Sequence, residues 1–257
     1  MLVNRKSIYL GCLPGATDEE RFANAAEAGF AAIEPPAIED ADALAALKAL
    51  YVKYNIVCPS VMSSGWGFPA SSPDPEVRAK CAENYKIAIR TAVALGTDTI
   101  LVVPGVVNEA IPYETAWENA RLTVASVIPY AAEMGVYLAI ENVWNKFLLS
   151  SREMTEFIDS FDSEWVKAYF DVGNILLYGF PQHWIVALGA RIKKIHIKGF
   201  KRDGMQWTSL LKGDVNWQAV MDAFKTIGYD GWITAELGAD ERGLKGMADD
   251  MDYILSL

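Results

Sequence analysis

Eight short apolar segments alternate with helical segments along the whole chain, and this alternation restricts the fold more than any other feature of the sequence. The apolar runs are continuous, which is typical of parallel strands that are buried on both faces. Strands and helices in alternation form βαβ units. Eight such units in 257 residues match the size of a closed barrel. We therefore predict an α/β fold with one domain over residues 1–257, a single (β/α)8 TIM barrel.

An open doubly wound sheet is the alternative. Such a sheet is expected to carry a glycine-rich phosphate loop after an early strand, and neither GxGxxG nor GxxxxGK[ST] occurs here. The predicted strands are Ser7–Cys12, Phe30–Glu34, Ile56–Met62, Thr99–Val103, Val136–Glu141, Val166–Asp171, Ile192–Ile197 and Gly231–Leu237. The later helices are predicted over Ser151–Phe161, with Ser151 as N-cap, over Gln182–Leu188, Val215–Ile227 and Met247–Leu257.

Four of the predicted strands end in side chains that bind metals: Glu141 in LAIEN, Asp171 in AYFDVGN, His196 in KKIHIKGF and Glu236 in WITAEL. Barrel enzymes carry their catalytic groups at these strand ends, and neighbouring strands lie about 5 Å apart. Three carboxylates and one imidazole favour a hard divalent cation, with Mn²⁺ first and Mg²⁺, Co²⁺ or Zn²⁺ as alternatives. The cation would also offset the repulsion among the three carboxylates.

Each of these residues also has an ordinary structural interpretation. Glu141 could cap a short helix, and Asp171 could belong to a turn. His196 could be a hydrogen-bonded core histidine, and Glu236 could pair with a lysine. Their occurrence at four successive strand ends favours the metal site.

Further residues are predicted to contact a substrate at the same end of the barrel. Lys198 shares the face of His196, although it could instead form a salt bridge. Asn174 and Glu34 follow or end strands, where structural roles are the alternative. Trp66, in the long loop Ser63–Pro75, is predicted to form an apolar wall with Trp144, with burial in the core as the alternative.

The overall charge argues against nucleic acid as a partner. The chain has 23 basic and 33 acidic residues and a formal net charge of −10, and it lacks the basic stripe of nucleic-acid-binding proteins. Arg191–Arg202 is locally basic, which suits a cavity for a small polar or anionic ligand.

The sequence also argues against a membrane protein. No run of 18 apolar, uncharged residues occurs, so we expect no spanning helix. The first residues lack the apolar region of a signal peptide. Cys12, Cys58 and Cys81 are spaced for neither a zinc motif nor a disulfide framework. We expect a cytoplasmic protein with reduced thiols.

The segments IEN at Glu141, DVGN at Asp171, HIKGFKR at His196, GDVNW at Gly213–Trp217 and TAEL at Glu236 resemble the sugar isomerase/epimerase superfamily with the xylose isomerase-like barrel. The resemblance covers the chain in strand order. It implies one divalent ion bound by Glu141, Asp171, His196 and Glu236. It also implies that the two glutamates act as acid and base in a ketose 3-epimerase, and that Arg202 holds substrate oxygens.

The sequence departs from the pattern of the superfamily at three positions. Asn174 replaces a common histidine, Gly199 replaces the acid of HxKD, and Phe147 stands where some free-ketose epimerases have a second substrate-binding glutamate. The metal residues are unaffected by these changes, which bear on the substrate.

The resemblance implies a divalent-metal-dependent sugar or sugar-phosphate epimerase or isomerase. Proton transfer beside a carbonyl would proceed through an enediolate that the cation stabilises. A polyol dehydratase of the inosose type and a non-catalytic metal- or sugar-binding barrel are the alternatives. A DNA-repair endonuclease with this barrel would need many histidines and a basic face, whereas the chain has two histidines. We expect a small sugar or sugar phosphate as the partner, and the sequence permits a homo-oligomer.

Overall fold

Parallel strands form the centre of the structure. The computed structural model describes residues 5–63 and 67–257. The strands of the central sheet are β1 Lys6–Tyr9, β2 Ala32–Glu34, β3 Val61–Met62, β4 Thr99–Val102, β5 Tyr137–Glu141, β6 Val166–Asp171, β7 Ile192–Ile197 and β10 Ile233–Ala235. They pair in the order β2-β1-β10-β7-β6-β5-β4-β3. The predicted (β/α)8 barrel is confirmed.

Single bridges close the ring between β2 and β3. Ile33 N donates to Val57 O over 3.0 Å, and Met62 N donates to the carbonyl of Pro35 over 2.9 Å. Few hydrogen bonds join the two strands here, because Pro59, which lies between the two contacts, has no N–H to donate. The predicted strand Ile56–Met62 is therefore reduced to an isolated bridge at Val57 and the strand Val61–Met62.

The helices lie between the strands along the chain. They are α1 Asp18–Ala28, α2 Ala41–Tyr54, α3 Pro75–Leu95, α4 Tyr113–Met134, α5 Ser151–Asp159, α6 Val172–Ile175, α7 Pro181–Leu188, α8 Trp217–Thr226 and α9 Gly243–Ser256. None of the described helices combines the length and apolar character that a membrane span requires.

Several predicted boundaries were wrong. Ser150, and not Ser151, caps α5. Its Oγ accepts a hydrogen bond from Glu153 N, and its own N–H donates to Glu153 Oε2, the reciprocal pattern of a capping box. The first strand ends at Tyr9, where residues 10–12 turn into a 3₁₀ helix. The last helix begins at Gly243, before the predicted Met247.

A hairpin that was not predicted follows the seventh strand. Its strands β8 Gly199–Lys201 and β9 Gln206–Thr208 pair antiparallel, outside the barrel sheet. A Cβ atom at Gly199 would clash with the backbone carbonyls of Thr208 and Ser209. Glycine at this position therefore permits the close pairing of the hairpin, which accounts for the departure from HxKD.

Candidate metal centre and active site

The strand register brings the four predicted metal residues to one end of the barrel. Glu141 and Asp171 are the last residues of β5 and β6, and Asp171 pairs with His196 of β7. Glu236 follows β10, and its N–H donates to Ile197 O over 3.0 Å. Alternate residues of a strand share a face, so Glu141 shares the interior face of Ala139, which belongs to a small apolar cluster inside the barrel.

The four side chains converge within a small space. One ligand atom from each of Glu141, Asp171, His196 and Glu236 lies within 4.8 Å of the others. His196 Nδ1 is 3.1 Å from Glu141 Oε1 and 3.4 Å from Glu236 Oε2. The imidazole and Asp171 are fully buried, whereas the Glu236 side chain is 23% exposed. The cluster is thus open to solvent on the side of Glu236.

Glu34 lies behind the histidine and away from the mouth of the barrel. Its Oε2 is 2.6 Å from His196 Nε2, and its Oε1 accepts from Ser60 Oγ at 2.7 Å and Tyr169 OH at 2.9 Å. Glu34 is fully buried. A carboxylate on one ring nitrogen fixes the tautomer in which the other nitrogen offers a lone pair to a metal. Glu34 thus orients Nδ1 toward the two glutamates.

The electrostatic environment separates the two glutamates. Burial raises the pKa of Glu141 to about 7, helped by the charge of Glu236 and opposed by the hydrogen bond from His196. Burial would also raise the pKa of Glu236, but the positive charges of His196 and Lys198 outweigh it and lower the pKa to about 2. Burial lowers the pKa of His196, yet the carboxylates of Glu34 and Glu236 raise it well above its ordinary value.

Asp171 is held by an amide that sequence reasoning missed. Asn142 Nδ2 donates to Asp171 O over 2.8 Å, and Asp171 N donates to Asn142 Oδ1 over 2.9 Å. Asp171 Oδ1 accepts from Asn174 N, so Asp171 does cap the short helix α6, as the structural alternative suggested. Asn174 Nδ2 donates in turn to Asn142 O over 2.9 Å. The IEN motif could have pointed to Asn142, since a buried amide after a strand needs partners.

The donor set fits a divalent cation. Asp171 Oδ2 is buried and makes no hydrogen bond with any described residue, although Lys198 Nζ lies 3.0 Å away without hydrogen-bond geometry. A buried carboxylate oxygen without a hydrogen bond is costly unless a charge compensates it. Glu141, Asp171 and Glu236 through carboxylate oxygens, and His196 through Nδ1, are the residues that would hold the ion.

A cavity of about 350 Å³ opens above this cluster. Glu141, Glu236, Lys198 and Asn174 line it on the polar side. The apolar wall includes Met62, Leu101, Val103, Val143, Trp144 and Trp207. The structure places Lys198 and Asn174 at the mouth, and Lys198 also forms the salt bridges that were its alternative. Their predicted substrate contacts stay predictions. Trp207 from the hairpin, which sequence reasoning missed, lies beside them.

Other predicted residues lie elsewhere. The guanidinium of Arg202 donates to Leu176 O and Gly179 O and does not line the cavity, so its predicted substrate contact stays a prediction. Trp66 lies outside the described residues. Phe147 is buried against Trp117 and Phe157. An aromatic core residue therefore occupies the position of the second glutamate.

Comparisons with known proteins agree with this fold. The family model for the xylose isomerase-like TIM barrel matches residues 22–257. A protein of Escherichia coli strain K12 named "Putative L-ribulose-5-phosphate 3-epimerase SgbU" is 30% identical over 158 residues, 59% of this chain and 54% of that protein. The chain thus spans about half the length of this curated relative.

Solved structures share the fold over nearly the whole chain. A D-tagatose 3-epimerase-like protein superposes with a TM-score of 0.86 at 20% identity, covering 98% of this chain and 97% of the other. The D-psicose 3-epimerase of Clostridium cellulolyticum H10, solved with D-tagatose, gives a TM-score of 0.82 at 20% identity, with 98% of each chain covered.

Proposed function

Because the chain belongs to the xylose isomerase-like TIM barrel family, we propose that it is a divalent-metal-dependent sugar epimerase or isomerase of the ketose 3-epimerase type. The names of similar proteins include a ketose phosphate and free ketoses, and both remain candidate substrates at this level. Mn²⁺ is the proposed ion, because most of the donor atoms are carboxylate oxygens. When bound, the ion would supply positive charge beside the carbonyl and favour the enediolate.

One observation carries this proposal: two glutamates, Glu141 and Glu236, face one cavity from different strands. Strands β6 and β7 separate β5, which carries Glu141, from β10, which precedes Glu236. Epimerisation needs one group that takes a proton and another that returns one to the opposite face.

We assign the roles accordingly. One of Glu141 and Glu236 removes the proton of the carbon beside the carbonyl, and the other returns a proton from the opposite side. In the reverse direction the two exchange roles. Lys198, 2.5 Å from Glu236 Oε2, keeps that carboxylate ionised and donates to a substrate oxygen. Asn174 contributes by holding Asp171 through its backbone N–H.

Exchange of substrate hydrogen with solvent tests the proposal. The Mn²⁺-loaded protein is incubated with free and phosphorylated ketoses in D₂O, and NMR follows deuterium at C3. We expect deuterium in both the substrate and its epimer. Glu236→Gln should lower the rate by about 10²–10⁴-fold, the usual contribution of a general base. Glu241→Gln is the matched control, because Glu241 lies exposed on the loop after the same strand.

The contrary outcomes are distinct. Near-normal exchange in Glu236→Gln would remove this residue from the mechanism. A product that has lost water would identify a polyol dehydratase. Absence of exchange with every ketose and every polyol tested would favour a non-catalytic binding protein.

A further inference from the structure

The cavity offers little positive charge to an anionic group of a substrate. Among the described residues that line it, Lys198 is the one cation. Its Nζ lies 2.5 Å from Glu236 Oε2 and 3.0 Å from Asp171 Oδ2. Both contacts direct the ammonium charge to carboxylates of the protein. Phosphate groups in proteins are usually bound by arginine, lysine or helix N-termini, so a substrate phosphate would compete for a cation that is already paired.

The arginines of the neighbouring loops are engaged away from the cavity. The guanidinium of Arg202 donates to two backbone carbonyls. Arg242 pairs with Asp240 at 2.8 Å and Asp250 at 2.6 Å. Lys146 and Lys201 are exposed to solvent and do not line the cavity. Residues 1–4 and 64–66, which the structure does not describe, read MLVN and SGW and contain no lysine or arginine.

The loops where many TIM barrels bind phosphate add no cation besides Lys198 to the described lining of the cavity. Those loops follow the seventh and eighth strands. Here the segment after β10 carries Asp240 and Glu241, which lie 3.7 and 2.5 Å from Lys212 Nζ. At the start of α8, the backbone N–H of Ala219 already donates a hydrogen bond to the N-cap side chain, Asn216 Oδ1. A phosphate, with a charge of about −1.5 to −2, would meet carboxylates in this region.

Trp144, Trp207 and Phe200 form an aromatic platform at the wall of the cavity. The rings of Trp144 and Trp207 stack with centroids 4.7 Å apart and an interplanar angle of 20°. Phe200 packs against both, at 5.4 and 5.1 Å. Trp144 Nε1 donates to Asn174 O over 2.9 Å, which fixes its ring. Trp144 and Trp207 keep 38% and 46% of their surface exposed, so the platform is open to a ligand.

These observations define a substrate class. Given the function proposed above, on which this inference rests, we propose that the site accepts an unphosphorylated ketose and that Trp207 binds it by packing against the C–H face of the sugar. Aromatic side chains bind apolar surface in small-molecule sites, while a few polar groups fix the orientation. Glu141, Glu236 and Lys198 supply those polar groups here.

A matched pair of substrates tests the inference. L-Ribulose and L-ribulose 5-phosphate differ only in the phosphate, and deuterium exchange with the Mn²⁺-loaded protein gives kcat/KM for each. We expect kcat/KM to be at least about tenfold higher for L-ribulose, equivalent to about 1.4 kcal/mol. Equal values, or a higher value for the phosphate, would overturn the inference and leave the proposed function intact.

A binding experiment separates the two proposals if neither ketose exchanges. In that case the wider panel of ketoses and polyols decides the proposed function, and calorimetry compares ribitol with ribitol 5-phosphate on the same Mn²⁺-loaded protein. Tighter binding of ribitol supports the inference. Equal or tighter binding of the phosphate, or binding of neither, overturns it.

Variants of the hairpin test the role of Trp207. Trp207→Ala should raise KM for the free ketose about tenfold with kcat little changed, because the ring contacts substrate and product alike. Trp207→Phe should recover most of the loss. Met205→Ala is the control, since Met205 lies exposed on the same hairpin. Binding of one Mn²⁺ per chain verifies that the Trp207→Ala variant is folded. If this variant does not bind the ion, Trp207→Leu is used in its place. An unchanged KM in the folded variant would exclude Trp207.

Discussion

His196 Nε2 lies 2.6 Å from Glu34 Oε2 inside the barrel, on the opposite edge of the imidazole from Glu141 and Glu236. Glu34 is itself fixed by hydrogen bonds from Ser60 and Tyr169. The orientation of the predicted metal histidine is therefore set from the second strand, far away in sequence.

Replacing the carboxylate of Glu34 should weaken metal binding while all four proposed metal ligands remain. We expect Glu34→Gln to raise the Kd for Mn²⁺ by about 10–100-fold, the usual cost of losing a hydrogen-bonding partner behind a metal ligand. Tyr169→Phe should have a smaller effect in the same direction, since it removes one of two hydroxyls that hold Glu34. Titration calorimetry measures Kd. Glu27→Gln, an exposed glutamate, is the control, and an unchanged Kd in Glu34→Gln would contradict the positioning role.

Metal binding should release protons and become tighter with rising pH. A metal ligand must be deprotonated, and the pKa of Glu141 is raised to about 7 while that of His196 is raised well above its ordinary value. Below these pKa values a proton must leave each group before the ion binds, so each proton strengthens binding by up to about tenfold per pH unit. Calorimetry in buffers of different ionisation enthalpy counts the protons. Binding that is independent of pH between 6 and 8 would contradict the shifts.

Thermal stability should depend on the metal. Since the proposed ion would bind only the folded site, we expect free Mn²⁺ at about 100 times its Kd to add about 2.7 kcal/mol to the free energy of unfolding, or about 5–10 °C in Tm for a chain of this size. Differential scanning calorimetry with and without chelator measures the shift. Asp171→Asn should remove most of it, and an equal shift in that variant would exclude Asp171 as a ligand.

The amide of Asn142 should be important for stability. Asn142→Ala leaves the buried N–H and C=O of Asp171 without their partners, at a total cost of about 2–6 kcal/mol, so we expect Tm to fall by about 4–24 °C. Asn24→Ala removes a single exposed hydrogen bond to Pro14 O and should change Tm by less than about 2 °C. An equal fall in Tm in both variants would show that the hydrogen bonds of Asn142 contribute no more to stability than the exposed bond of Asn24.

Local patterns predicted the order of the strands and the cluster of metal residues, because strand ends in a parallel barrel face the same way. The partner of His196 was not predictable in the same manner. Glu34 precedes two prolines at a strand end, which suggested a residue at the mouth. Its burial beneath His196 depends on how far each strand extends into the barrel, a tertiary property. The hairpin at Gly199–Thr208 was missed because each of its two strands is only three residues long.

The hairpin has a consequence for how the protein could be modified. The residues that would hold the ion stand on strands of the closed sheet, whereas Trp207 belongs to a separate two-stranded sheet between β7 and α8. Residues 199–208 could therefore be exchanged for those of another barrel while the hydrogen-bonded ring remains intact. If Trp207 contacts the substrate as proposed, mutation of this hairpin can alter substrate binding while the residues that would hold the ion are preserved.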